Sequence, residues 1–362
     1  MQNLSSKLFE IFSNVDSAKK LIANIDTKVI KYCVDNQEII STIVDEIKPN
    51  CYVVSANSML IEYSKDELIK LDSKILRTFS YILIKLFENI LKIAKIDKLQ
   101  TLNNYMLSTN FFSNNFENID LKKLRYIALK NYSNHALVIR SINKTQNPKL
   151  FEELKKDAWI ALVSRQVYIF DDFKRCEKYQ NYIWDKKLLN NKRYIFKELD
   201  LDDFSLFEKA ENLYNQLYLE KYSIHNVQFK AIYLQELVKK ELLHLRLLYD
   251  NQKNKYVAVV GLIGEDEVIT APIVGYDLSY DIKEALYRRV IAYILEYAKT
   301  NNYVLNLSSG ASSFKLNRGA KANLEYMFVY TKHLPFFRRF IWKILSFISN
   351  NFYAVLLQRL KL

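Results

Sequence analysis

All five glycines of this 362-residue chain lie between Gly261 and Gly319. Glycine tolerates positive φ and lets two backbones approach closely, so a chain that keeps its glycines in one segment keeps its unusual geometry there. The segment is residues 270–330, and two of the four prolines, Pro272 and Pro335, fall inside it or just beyond. Its pattern reads as a strand over 268–276, a helix to about residue 300, a strand YVLNLSS, a short helix ASSFKLN and a strand ANLEYMFVY. Asp281 with Glu284 three residues on reads as a capping box for the first helix. Leu286, Val290, Tyr293, Ile294 and Tyr297 form its buried face.

Half of the residues are apolar and 26% are charged, a composition that excludes a disordered chain. The net charge of +13 suits an anionic partner: nucleic acid, a phosphorylated cofactor or a membrane surface. AT-biased coding accounts equally for such a lysine-rich chain, with the lysines on solvated faces. Cys33, Cys51 and Cys176 are too widely spaced for a zinc site and read as reduced thiols. The first twenty residues lack the apolar core of a signal peptide, and no run of 18 uncharged apolar residues occurs. A cytoplasmic location is expected, extending to the inner face of the membrane.

Residues 1–48 carry helical spacing at Leu8, Ile11, Phe12, Val15, Leu21 and Ile25. After Pro49, a hairpin is expected over 51–64, and then a helix opened by Asp66 and Glu67, with a stripe from Leu68 and Leu71 to Ile90. Residues 102–172 alternate: a short strand YMLST, a helix over 121–130, a strand over 135–142, a helix over 148–162 and a strand over 164–171. Arg140 and Arg165 interrupt the apolar runs of two strands, which implies an exposed face or a buried ion pair more than a ligand contact. Residues 173–195 are polar and irregular, and a boundary placed there divides the chain into 1–190, 191–335 and a tail, 336–362. Beyond it come a strand RYIFKELD, two helices and a hairpin. Pro272 implies an edge strand or a bulge. The two halves share a crude order of hairpin, helix, strand, helix, strand, which suggests duplication.

LNLSSGASSFKLNRGA with EYMFVYTKHLP, KYS-x-x-N at Lys221 to Asn226, and TAPIVGYD at Thr270 to Asp277 carry a resemblance. Together they resemble the GNAT-related domain of Fem-type and cellulose-biosynthesis-type acyltransferase-like proteins, over residues 193–335. The N-terminal half is similar more loosely, since Fem-type proteins carry two such domains. The resemblance implies an α+β fold: a mixed, mostly antiparallel GNAT-like sheet flanked by helices, in two GNAT-like halves. It implies transfer of an acyl or aminoacyl group to an amine, without a metal. The donor would be acyl-CoA, an acyl carrier protein or aminoacyl-tRNA, the last being the one nucleic-acid partner expected.

One departure bears on the donor. Acetyl-CoA-dependent members place a Q/R-x-x-G-x-G/A loop at the start of the helix, where bare N–H groups cradle pyrophosphate. Here that loop is DLSYDIKEA, without glycine and with Asp277, Asp281 and Glu284, which disfavours a phosphate. The better anion cradle is Ser309, Gly310, Ser312 and Ser313, steadied by Lys315 and Arg318. The alternative is that Ser309 merely caps the short helix while both cations are solvated. Asp277 and Glu325 are the candidate bases, and Tyr276 and Tyr287 the candidate acids or hydrogen-bond donors. Glu325 can equally pair with Arg318 or Arg288 as structure.

The tail beyond Pro335 has five cations and no acids among Phe, Ile, Leu and Trp342. It forms a basic amphipathic helix that lies on an anionic membrane or packs on the second domain. An enzyme is one outcome of these features. A non-catalytic binding module on a degenerate GNAT scaffold is the other.

Overall fold

The computed structural model describes residues 3–62 and 74–360. Asp66, Glu67, Leu68 and Leu71 lie outside the described residues. The strands are β1 (Lys28–Val34), β2 (Gln37–Val44), β3 (Leu99–Leu102), β4 (Ala136–Asn143), β5 (Ile160–Phe170) and β6 (Tyr194–Lys197), then β7 (His244–Asp250), β8 (Lys255–Glu265), β9 (Val268–Tyr276), β10 (Val304–Asn306) and β11 (Lys321–Tyr330). They form one sheet in the order β1-β2-β3-β4-β11-β5-β10-β9-β8-β7-β6.

Two series within this sheet have the same senses. From β1 to β4 and on to β11 the pairings are antiparallel, antiparallel, parallel and antiparallel. From β7 to β10 and on to β5 they are the same. Each half is therefore a GNAT-like unit, and each completes its sheet with the other's last strand. β5 and β11 pair antiparallel at the centre, where the halves interlock. The connections between the parallel neighbours, β3 to β4 and β9 to β10, carry helices, as parallel pairing requires.

The helices that matter here are α1 (Leu4–Ser13), α2 (Lys74–Ile93), α3 (Leu121–Asn131), α4 (Pro148–Lys156), α5 (Gln180–Leu188) and α6 (Phe204–Asn215), followed by α7 (Ala231–Lys239), α8 (Leu286–Thr300), α9 (Ser312–Leu316), α10 (Phe336–Ile348) and α11 (Ala354–Leu360). Side chains alternate across a strand, and the core follows that period. Val259 and Ile263 of β8 pack with α1, α6 and α7, whereas Val260 and Leu262 pack with α8 on the opposite face. In the other half, Leu137 and Ile139 of β4 join α3 and α4, while Ala136 and Val138 join α2 and α10.

Several expectations need correction. Residues 1–48 are helical only over α1 and a short turn at Ala18–Lys20, and β1 and β2 form a hairpin. Its turn is Asp35-Asn36, both at positive φ (50° and 63°), the geometry of a two-residue primed turn. The expected hairpin at 51–64 is instead a turn leading into a helical segment, Ser58–Glu62. Cys51, Val53 and Val54 are buried there as core and not as strand. YMLST is a buried irregular segment, with Met106 at φ 57°. The helix from Pro148 stops at Lys156, and Ala158 at φ 62° turns the chain into a β5 longer than expected. The polar stretch 173–195 contains α5. Pro272 is not at an edge, because β9 lies between β8 and β10; the bulge expected of it is present as a register shift opposite, between Gly261 and Ile263.

Candidate active site

β9 and β10 pair only over Val268–Thr270 and Val304–Asn306. Beyond that point β9 stays with β8, while the chain after Asn306 turns to β5: the Leu307 N–H donates to the Tyr168 carbonyl at 3.0 Å and the Tyr168 N–H to the Ser308 carbonyl at 3.1 Å. The parallel pair therefore opens into a fork. Pro272 sits on β9 just past the last β10 pairing, where its missing N–H removes no bond to that neighbour.

Aromatic side chains wall the fork. The Tyr276 and Tyr287 rings are 6.0 Å apart, and Tyr287 is 4.9 Å from Phe314 of α9. The π-helical stretch Gln216–Tyr222 continuing α6 adds Tyr218 and Tyr222, whose rings are 6.0 Å apart. π-Helical turns of this kind frequently mark functional sites. Between them, Lys221 is exposed and donates to the Tyr276 hydroxyl at 3.3 Å. Gly275 permits this assembly. A Cβ there would lie 2.2 Å from the Leu213 carbonyl oxygen, so only glycine lets α6 approach β9 one residue before Tyr276. Burial, with Tyr218, Tyr222 and Tyr276 around it, raises the Tyr287 phenol well above its usual range, so it stays protonated as a donor.

The base of the fork is Ser308, and Arg165 of β5 holds it. Arg165 Nη1 donates to Ser308 Oγ at 2.9 Å, Nε donates to Glu325 Oε1 at 2.7 Å and Nη2 to Glu325 Oε2 at 3.2 Å. Nη2 also reaches the Ser108 carbonyl at 2.6 Å and Thr109 Oγ1 at 3.0 Å. Glu325 lies on β11, directly opposite Arg165 in the central pair, and its side chain is 3% exposed. Its partner is thus Arg165, neither Arg318 nor Arg288. Arg140 on β4 is spent on backbone as well, donating to the Leu107 and Ser108 carbonyls at 2.9 Å each. Both arginines support the irregular segment after β3, which the sequence did not mark.

The other candidates are dispersed. Burial raises the Asp277 carboxyl, but Ser279 and Lys255 outweigh it and hold the group below the usual carboxylate range. It accepts from Lys255 Nζ at 2.9 Å and from the Ser279 N–H at 2.9 Å. Glu284 makes no capping box: it accepts from Arg193 Nη1 at 3.0 Å and the Tyr194 hydroxyl at 2.7 Å. Asp281 caps only a short turn, Ile282–Glu284, and Ala285 at φ 56° begins α8 without a side-chain cap. Two of the three loop acids are therefore neutralised by Lys255 and Arg193.

In the expected anion cradle, Ser309, Gly310 and Ser313 are exposed and Ser312 is half-buried. Ala311, not Ser309, precedes α9, with φ 49° and no side-chain cap. Lys315 and Arg318 are neither solvated nor open to the cradle. Lys315 Nζ donates inward to the Leu307 carbonyl at 2.6 Å and the Ser309 carbonyl at 2.8 Å, fixing the loop from below. Burial, with the Arg165 charge adding to it, pushes its ammonium down to about 7. Arg318 Nε donates to Asp185 Oδ2 at 2.6 Å, in a pair that is almost wholly buried.

The tail forms α10 and α11, joined by a π-helical turn, Ser349–Tyr353. By length and composition Phe336–Arg359 could cross a membrane, but one face is packed. Ile341, Trp342 and Leu345 enter a core shared by both halves, beside Leu91 and Ala94 of the N-terminal half and Met327 and Val329 of β11. Arg338 is buried too, donating to the Ala94 carbonyl at 3.0 Å and the Asn134 carbonyl at 2.7 Å. The outer face leaves Phe336, Phe340, Phe347, Phe352 and Leu356 exposed.

Compared by sequence, the chain matches no protein-family model and no curated protein. Its structure is similar to that of the C-terminal domain of a putative lysylphosphatidylglycerol synthetase from Agrobacterium fabrum, at 10% identity, covering 90% of this chain and 91% of that one, with a TM-score of 0.52. It is similar also to L-PGS from Bacillus licheniformis, at 10% identity, over 96% of this chain and 97% of that one, again with a TM-score of 0.52. At such identity the likeness is one of fold. It extends over nine-tenths or more of this chain.

Proposed function

We propose that this chain is a GNAT-type transferase that moves an acyl or aminoacyl group from a thioester or ester donor to an amine at the β9–β10 fork. The observation that carries this is the fork itself, an aromatic wall ending at Ser308, which the partly buried Arg165, paired with buried Glu325, holds in place. In the reaction the amine nitrogen attacks the donor carbonyl, a C–N bond forms and the C–S or C–O bond breaks. One proton passes, on balance, from the nitrogen to the leaving atom. Tyr287 and Tyr276 supply hydroxyls at the fork for that leaving atom. Glu325 orients Arg165, and the lowered Asp277 is a weak base, better suited to fixing the loop after β9. The exposed 309–313 loop and Lys221 would meet the anionic part of an acyl-CoA, carrier or tRNA donor.

The test is amide formation, measured by mass spectrometry with acyl-CoA, acyl-carrier and aminoacyl-tRNA donors against a panel of amines. Tyr287→Phe is expected to lower kcat about 10²-fold, the lower end of general-acid effects. Saturable donor binding with no amide from any pair would make the chain a binding module on a GNAT scaffold, a reading that the glycine-free loop favours.

The proposal extends to location at an anionic membrane face. The exposed phenylalanines of the tail share their helix with Arg339, Lys343 and Arg359, and there is no acid between residues 336 and 362. Deleting the tail would open the core, so surface substitutions are the better probe. The full chain is expected to float with anionic vesicles and not with zwitterionic ones, and Phe340→Ser/Phe347→Ser/Phe352→Ser to stay unbound. A wild-type chain that never floats would overturn this placement.

A further inference from the structure

The N-terminal half has its own version of the fork. β3 and β4 run parallel over Leu99–Thr101 and Ala136–Val138, as β9 and β10 do. The segments that follow β3 and β4 close over a cavity of about 260 Å³, together with the beginnings of β9 and β10. This cavity runs along the paired stretch of β9 and β10, from Asp266 and Glu267 to Thr270 and Asn306. Glu117, Asp171, Asp266 and Glu267 line it, and no lysine or arginine does, although the chain carries +13. Lys321 neutralises Asp171 at 2.8 Å, which leaves three carboxylates to set the local field.

Two polar groups in its wall lack a partner among the described residues. Thr270 is 1% exposed, and its Oγ1 makes no hydrogen bond. The Gln146 oxygen accepts from Asn143 and Asn306 at 2.7 Å each, which fixes the amide and leaves its Nε2 unpaired. Buried polar groups are nearly always satisfied, so an orphan hydroxyl and an orphan amide in one cavity indicate a missing occupant.

We infer that this cavity binds a small ligand bearing an ammonium beside a hydroxyl, the chemistry of an amino sugar or amino alcohol. The ammonium answers the field of Glu117, Asp266 and Glu267, and an anion would be repelled. The ligand hydroxyl accepts from Gln146 Nε2, and Thr270 Oγ1 pairs with either group. Thr109, also in the wall, accepts from Arg165, the residue that holds Ser308 at the other fork. The two forks therefore share one arginine. Binding here does not rest on the acyl-transfer reading, because it is measured without a donor.

The test is calorimetric titration of the full chain at pH 7 and low salt with glucosamine and 2-aminoethanol, using glucose and N-acetylglucosamine as uncharged controls. Both amines are expected to bind saturably and to weaken with salt. Thr270→Val and Glu117→Gln are each expected to raise the Kd about tenfold, the scale of one lost hydrogen bond or charge partner. Glu117→Gln keeps an acceptor for Asn147, so it remains informative if Thr270→Val folds poorly. The inference is overturned if neither amine saturates, if glucose binds as tightly as glucosamine, or if both variants bind like the parent chain.

Discussion

Arg165→Met is expected to destabilise the chain by about 3–5 kcal/mol and to abolish transfer, since it strands a buried carboxylate. Glu325 is 3% exposed and receives two of the Arg165 N–H groups, so no solvent is at hand to replace them. Two lost functions are mixed in that single variant, and a second substitution separates them. Arg165→Met/Glu325→Leu removes both charges, and apolar replacement of a buried pair is often neutral or stabilising. The double variant is expected to recover most of the unfolding free energy in urea titrations. It should remain inactive, because Ser308 Oγ and Thr109 Oγ1 still lack the guanidinium that held them. Recovery of activity together with stability would show that Arg165 is a fold element and not a positioning residue. A near-additive cycle would show that the pair is not coupled.

The C-terminal half was legible because its local signals agree. The β7–β8 hairpin, the α8 face at Leu286, Val290 and Ile294, and the strand ending in Glu325 to Tyr330 all have the periods they display in the sheet. Tyr276 and Tyr287 were read as site residues and do stand together at the fork. The N-terminal half misled for identifiable reasons. Its hairpin turns on Asp35-Asn36, with no glycine to announce positive φ, and the β-branched run at Val53-Val54 packs as a buried turn. Arg165 and Ser308 could not be paired from sequence, since 143 residues separate them and only the strand exchange brings them together. Lys221 and Tyr222 lay in a motif that signalled resemblance, but their π-helical geometry leaves no period to read.

The expected cradle loses its two cations to the interior for a different reason, which Asp185 exposes. Lys315 and Arg318 are three apart and free of nearby acids in sequence, so they read as outward cations. The acid that recruits Arg318 comes from α5, inside a stretch that looked like a linker. Asp185 is 1% exposed and accepts from Arg318 Nε and Arg288 Nε, each at 2.6 Å. Arg318 is itself 5% exposed, whereas Arg288 is 39% exposed. The two arginines therefore carry different weights. Asp185→Ala is expected to cost about 3–5 kcal/mol, because it leaves the buried Arg318 guanidinium with the Phe314 carbonyl as its one remaining hydrogen-bond acceptor among the described residues. Arg288→Ala should cost under about 1 kcal/mol, since water screens its half of the network. Chemical denaturation of the two variants gives the ranking directly. It also decides the fate of the cradle: a loss below about 1 kcal/mol in Asp185→Ala would mean that Arg318 reaches solvent readily and is available to an anion after all.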